Sequence, residues 1–343
     1  MMAKKNRVGV LSSFTINRPL NRREKQHHYR QGRVKKHGGE AAVMNFDTVI
    51  TMNSTYLEVV DNDYEKIGQL SSLLMVFAIM FIAFLITGVI ATISDYELFV
   101  PLLVISVMVI PVIILLIKFI LLEWFCKTHY PVRFNRQKQL VHIYQTNNQI
   151  LTLPWKDIYF TTYEWRNNVN LVGHILDKDG ETVLNTFGFG YWGDKLELDH
   201  YWEFIRCYME EDCLEELADT VTLCPPIADK KESYIFGLQY IIKMESRLAW
   251  IFIIFMLPIY FMESLARFIA MQTSKIPQWS QEVLDDCIVS PNDPIQVDAR
   301  INPPHLWRYV LANEPLDIYQ ARYDKQQSAN QRIKLKLEKH KID

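Results

Sequence analysis

The sequence is short of every pattern that would mark a reaction centre. Its five cysteines, Cys126, Cys207, Cys213, Cys224 and Cys287, are odd in number and contain no CxxC pair, which excludes a disulfide framework or a zinc site of familiar spacing. Its nine histidines show neither HxxxH nor HExxH spacing, so we expect no metal. FGFGYWGD (187–194) has glycines spaced GxGxxG at 188, 190 and 193, but no Gly-Lys-Ser opens a helix there and the glycine spacing alone is a weak signal, so the stretch reads as the end of a sheet and not as a phosphate-binding loop. Asp177, Asp179, Glu181 and Asp194 read as turn and surface acids, because nothing in their spacing fixes two carboxylates about a common bond. The expectation is a chain with no catalytic residue and no cofactor, and not an enzyme.

What is present is unevenly spread apolar sequence. SSLLMVFAIMFIAFLITGVIATI (71–93) runs 23 residues without a charge, and FVPLLVISVMVIPVIILLIKFILL (99–122) runs 24 with one. About 20 such residues cross about 30 Å of hydrocarbon, so both read as membrane spans. Only SDYEL (94–98) separates them, which makes a tight antiparallel hairpin. Pro101 falls in a first helical turn, where proline costs little, while Pro111 is expected to kink its span. Lys118 and Trp124 are membrane anchors in this reading, the lysine snorkelling toward headgroups beside Glu123 and Lys127.

Charge orients the hairpin. Residues 1–40 hold eleven Lys or Arg against two acids, and the turn between the spans holds only Asp95 and Glu97. Positive charge stays on the cytoplasmic side, so both hairpin ends are expected there, in a bacterial inner membrane or a plasma membrane. The first apolar run starts about 70 residues in and follows no cleavage pattern, so no signal peptide is expected. The basic stretch 17–40 has Tyr29 as its one aromatic besides histidine. It offers nucleic acid little to stack on and reads as a disordered tail that touches anionic lipid.

From 131 to 188 the texture becomes short alternating runs broken by Asn and Gly. Strands are predicted near 131–135, 139–145, 149–153, 157–165, 169–176 and 181–188, an antiparallel meander. A helix is predicted over 196–218, with Leu198, Trp202, Ile205 and Met209 on one packing face and Glu203, Arg206, Glu210 and Glu211 toward water. Strands closed by one helix, with LPWKDI (153–158) entering a strand, resemble the pleckstrin-homology-like domains of bacterial membrane proteins.

AWIFIIFMLPIYFMESLARFIAM (249–271) is apolar enough to enter a membrane but carries Glu263 and Arg267. Leu248 to Met262 gives only about 22 Å of helix, whereas continuing to Met271 gives about 36 Å. Spaced i, i+4, Glu263 and Arg267 can form an intramembrane charged pair. Lys230, Lys231, Lys243 and Arg247 precede the segment and only Lys275 follows closely, which favours a third crossing with the tail outside. An interfacial or re-entrant helix, broken at Pro258, stays open as the alternative. The tail holds ten basic and ten acidic residues, and we expect two short helices and a frayed end there.

The expected organisation is a basic cytoplasmic region (1–70), a two-span transmembrane helical hairpin (71–122), a pleckstrin-homology-like domain (123–218), a linker (219–247), a third membrane segment (248–271) and a polar C-terminal tail (272–343). The fold class is an α+β membrane protein, with a cytoplasmic antiparallel β-meander, one helix and a third membrane helix. The order of these parts, with PVRFNRQKQLVHIY, LPWKDIYF and NPPHLWRYVLANEPLDIYQAR, resembles an uncharacterised family of bacterial membrane proteins that sit beside type VI secretion and Rhs-type toxin genes. The resemblance implies toxin immunity or delivery by binding, in a bacterial inner membrane, with lipids and a secreted toxin or secretion component as partners. The competing expectation is a small transport or channel subunit with Lys118, Glu263 and Arg267 as pathway charges.

Overall fold

The computed structural model describes residues 5–7, 13–34, 42–165, 168–191, 193–245, 250–303 and 315–339. In chain order these form β1 (Lys5–Arg7), β2 (Ser13–Thr15), β3 (Arg18–Pro19), α1 (Arg22–Gln26), β4 (Val49–Met52), β5 (Tyr56–Val59), α2 (Gln69–Ser94) and α3 (Phe99–Ile120). Then come β6 (Val132–Asn135), β7 (Leu140–Tyr144), β8 (Ile150–Pro154), β9 (Ile158–Trp165), β10 (Asn168–Leu176) and β11 (Thr182–Gly188). The remaining helices are α4 (Lys195–Glu210), α5 (Leu214–Thr220), α6 (Tyr234–Glu245), α7 (Trp250–Thr273), α8 (Gln281–Asp286) and α9 (Leu316–Lys339). They divide into two compact units, one of residues 1–65, 129–230 and 276–343, the other of 66–128 and 231–275.

The first unit is α+β, with antiparallel sheets ordered β4-β5-β6-β7-β8 and β3-β11-β10-β9. The strands predicted between 131 and 188 all form, with ends within a residue or two, because alternation and turn chemistry agree there. Asn148 and Gly180 take positive φ (63° and 69°) in two of the turns, a conformation that Asn and Gly adopt at least cost. Aromatic rings join the sheets: Phe134 of β6 stacks on Phe189 just past β11 at 5.9 Å. Trp155 lies 5.7 Å from Trp202 of α4.

Three stretches contribute more to this unit than the sequence pattern suggests. Residues 13–34 are ordered and not a loose tail: β3 pairs with β11, Asn21 and Glu24 form a capping box on α1, and buried Tyr29 donates to Asp199 at 2.7 Å. The run of charges there hides a few apolar anchors, Phe14, Leu20 and Tyr29, that bury against the sheet. β4 and β5, from before the hairpin, complete the five-stranded sheet, so the strand-rich unit is wider than 123–218.

In α4 the stripe of Leu198, Trp202, Ile205 and Met209 is buried as expected, but Glu203 and Arg206 are buried too. The helix is enclosed on more than one side, and Arg206 is kept in place by Glu203, Glu210 and Glu211 at 2.9, 3.2 and 2.6 Å. The tail does not fray at Ile333 to Lys339 but continues as the single helix α9, whose Ala329, Ile333 and Leu337 are buried while Leu335 is exposed. That is the i, i+4 face of a helix and not the period-two alternation that IKLKL suggests.

The second unit is helical. Among the described residues three helices are long and apolar enough to cross a membrane, over Tyr64–Ser94, Tyr96–Ile120 and Ile254–Thr273. Pro111 lies inside α3, which runs unbroken past it, and Pro258 likewise inside α7. The 219–247 stretch is more than a linker: it holds the end of α5 and all of α6, where Leu238 to Ile242 are buried.

Candidate functional site

The charges that sequence places near the membrane segments collect at one end of the helical unit. Arg267, in the last third of α7, is fully buried. Its Nε and Nη2 donate to the two carboxylate oxygens of Glu232, each at 2.8 Å, a bidentate pair. Nη1 donates to the Ile67 carbonyl at 3.3 Å, and the guanidinium lies 5.0 Å from the ring centroid of Tyr240 on α6.

Glu232 stands just ahead of α6, so its charge sits near that helix's N-terminus. Its main-chain carbonyl accepts from Gln272 at 2.9 Å, and Lys231 donates to the Gln272 carbonyl at 2.5 Å. Gly68 makes the close approach possible. It has φ +96°, and a Cβ there would lie 2.7 Å from Cβ of Arg267.

Beside this pair the hairpin is tied at its base. Glu123, just past α3, is buried, and its Oε2 accepts the Ser71 amide of the first turn of α2 at 3.2 Å. A carboxylate at a helix N-terminus satisfies donors the helix cannot. Burial pushes the Glu123 carboxyl above its usual range, with Ser71 and the amides of the first turn pulling the other way. Its Oε1 has no hydrogen-bond partner among the described residues.

The anticipated site residues are distributed as follows. Lys118 is exposed in the last turn of α3, and Trp124 is half-buried just beyond it. Glu263 is half-buried one turn before Arg267 on α7. The bidentate carboxylate on Arg267 comes from Glu232, 35 residues upstream, a residue that the sequence pattern does not single out. The available signal was generic: a buried arginine needs an acid, and Glu232 is the acid that opens α6.

The first unit has its own buried charges. Arg133 pairs with Glu58 and lies between the rings of Tyr56 and Trp279, at 4.2 and 4.8 Å. Glu24 accepts from Arg18 and faces His174 at 3.2 Å. Burial raises its carboxyl, but His174, Arg18 and the Asn21 amide outweigh that and lower it to about 2. A narrow cleft between the sheets is lined by Asp61, Tyr130, Tyr144, Asn185, Thr186 and Phe187 among others. Asp61 accepts from the amides of Tyr130 and Asp63 at 2.8 and 3.1 Å. Burial and the adjacent Asp63 push its carboxyl up to about 7.

Chemically these are clasps. Arg267, Arg133 and Arg206 each hold their carboxylates through hydrogen bonds in the protein interior, geometry suited to positioning elements more than to handling a substrate. Residues 108–291, more than half of the chain, match the family described as Family of unknown function (DUF6708). No curated protein and no solved structure matches the chain.

Proposed function

We propose that this chain, which belongs to the DUF6708 family, is a membrane-anchored binding protein that works without turning over substrate. The observation that carries the reading is the enclosure of Arg267 by Glu232, Tyr240 and Gly68. A transport subunit would present that charge to an open path, whereas here it is sealed into the joint between helices. The exposed apolar surface of α2 and α3 supplies the anchor, and the strand-rich unit supplies the binding surface. Likeness to pleckstrin-homology-like domains rests on the pattern of strands closed by α4.

The finer form of the proposal is protection against, or escort of, a secreted antibacterial toxin at a bacterial inner membrane, with the N-terminus in the cytoplasm. Its supports are the order of parts along the sequence and the charge asymmetry about the hairpin. Deleting the gene is expected to make cells sensitive to sister cells that deliver the neighbouring toxin. Unchanged survival together with a solute-uptake defect would instead favour transport. A reporter after residue 96 should signal outside, and one after residue 180 inside.

A further inference from the structure

Residues 276–303 and 315–339 belong to the same unit as β4, β5 and the strands and helices from β6 to α5. Val297 and Met52 exchange main-chain hydrogen bonds of 2.8 and 2.9 Å. The Asn302 side chain donates to the Cys224 carbonyl and accepts its amide at 2.6 and 2.7 Å. Trp279 covers Arg133 and donates to Glu58 at 3.3 Å. Farther on, Ile333 and Leu337 of α9 belong to the core that contains Phe134, Phe160 and Trp202. Lys325 and Arg332 pair with Asp219 of α5 at 2.8 and 3.1 Å.

A hydrophobic core cannot be shared across a bilayer, so these stretches occupy one side of the membrane. The chain between residues 230 and 276 must then cross an even number of times. α6 has 12 residues and is about 18 Å long, too short for about 30 Å of hydrocarbon. With one arm unable to span, the even number is zero.

We propose, on the premise that the chain is a membrane protein, that α6 and α7 form a helical hairpin that enters and leaves one leaflet on a single face. Its partner is the lipid of that leaflet. Ile254, Phe255, Ile259, Phe261 and Leu265 of α7 are exposed and supply the face toward the acyl chains. Tyr260, Ser264, Arg267, Ala270 and Met271 are the buried side, toward α6 and α2. Charges stand at each end of the arms in sequence: Lys230 and Lys231 before α6, Lys243, Glu245 and Arg247 where the sequence passes from α6 to α7, Lys275 after α7. Such spacing keeps both ends of each arm at the headgroups and lays the hairpin along the surface. The third crossing favoured by the charge asymmetry is thereby replaced by its interfacial alternative.

The test is labelling of single added cysteines with a membrane-impermeant maleimide, in full-length protein carrying Cys126→Ser. The other four native cysteines are buried. Ser94→Cys, Lys178→Cys and Ser328→Cys each place a thiol at an exposed position. Intact cells should label Ser94→Cys and lose the signal for the other two until the membrane is permeabilised. Reversal of all three would overturn the proposed orientation and leave the hairpin standing, because Lys178→Cys and Ser328→Cys still fall together. Labelling that separates those two would overturn the hairpin and restore the crossing.

Discussion

Glu232 and Arg267 meet through two parallel hydrogen bonds of 2.8 Å, with both side chains out of solvent. The pair ties the start of α6 to the end of α7, and the Ile67 carbonyl brings in the residues before α2. Removing one partner strands the other as a buried charge, which costs about 3 to 5 kcal/mol. Arg267→Ala and Glu232→Ala are each expected to lower the thermal midpoint of the detergent-solubilised protein sharply. The double variant Glu232→Leu with Arg267→Met should recover most of the loss. Equal midpoints for parent and Arg267→Ala would mean that the pair is not closed in solution.

Gly68→Ala should destabilise the same joint from the opposite side. Its φ of +96° disfavours any side chain, and the added carbon would meet the main-chain nitrogen of Arg267 at 2.8 Å. We expect a loss of about 1 to 3 kcal/mol, read as faster proteolysis near residue 68. By contrast Gly32→Ala, also at positive φ but with open space around it, should cost only its backbone strain.

Asp61 gives a pH dependence whose sign is opposite to that of most carboxylates. Its folded pKa of about 7 lies above the unfolded value of 3.8, so the folded state holds a proton that the unfolded state has lost. The stability contributed by this group is full below pH 3.8 and is lost as pH rises toward 7. The swing is on the order of a few kcal/mol. Asp61→Asn should flatten the decline of denaturation midpoint between about pH 4 and about 7. An unaltered slope would show that the carboxylate is ionised throughout.

His129 works at the acid end. It is buried, and burial lowers its pKa from 6.5 to about 3. Neutral imidazole therefore stabilises the fold above pH 6.5, and that contribution is lost as pH falls toward 3. His129→Gln should resist acid better than the parent below about pH 5 while being no more stable at pH 8. Acid titration followed by tryptophan fluorescence reads both.

Truncating Ile333 tests whether α9 belongs to the core. Ile333→Ala is expected to cost about 2 to 5 kcal/mol, against little for Leu335→Ala on the exposed face. If both variants unfold with the parent, α9 is an appendage.

Strands β6 to β11 were legible because alternating side chains and Asn or Gly turns act over a few residues, the range a single sequence exposes. The α4 stripe was legible for the same reason. Elements whose meaning depends on a distant partner were not. Arg18, Arg23 and Lys25 make residues 17–34 look like a solvated arm, and it takes Glu24, Glu164 and Glu181 in place to give those charges something to hold. In IKLKL, alternation over five residues masks a helix whose register is set by what Ile333 and Leu337 touch. Glu232 had no local feature to distinguish it from the surface acids around it.

The first unit closes only when its last helix arrives. β4 and β5 leave the ribosome before both long apolar helices, yet β6, the strand that pairs with β5, follows them, and Ile333 and Leu337 come almost at the end of the chain. Until β6 arrives the edge of β5 stands uncovered, and until α9 arrives so does part of the core beside α4; an unpaired strand edge invites other chains. The five-stranded sheet thus cannot form until α2 and α3 have been made and put in place, so that a delay in two helices outside the sheet becomes a folding defect in the strand-rich unit.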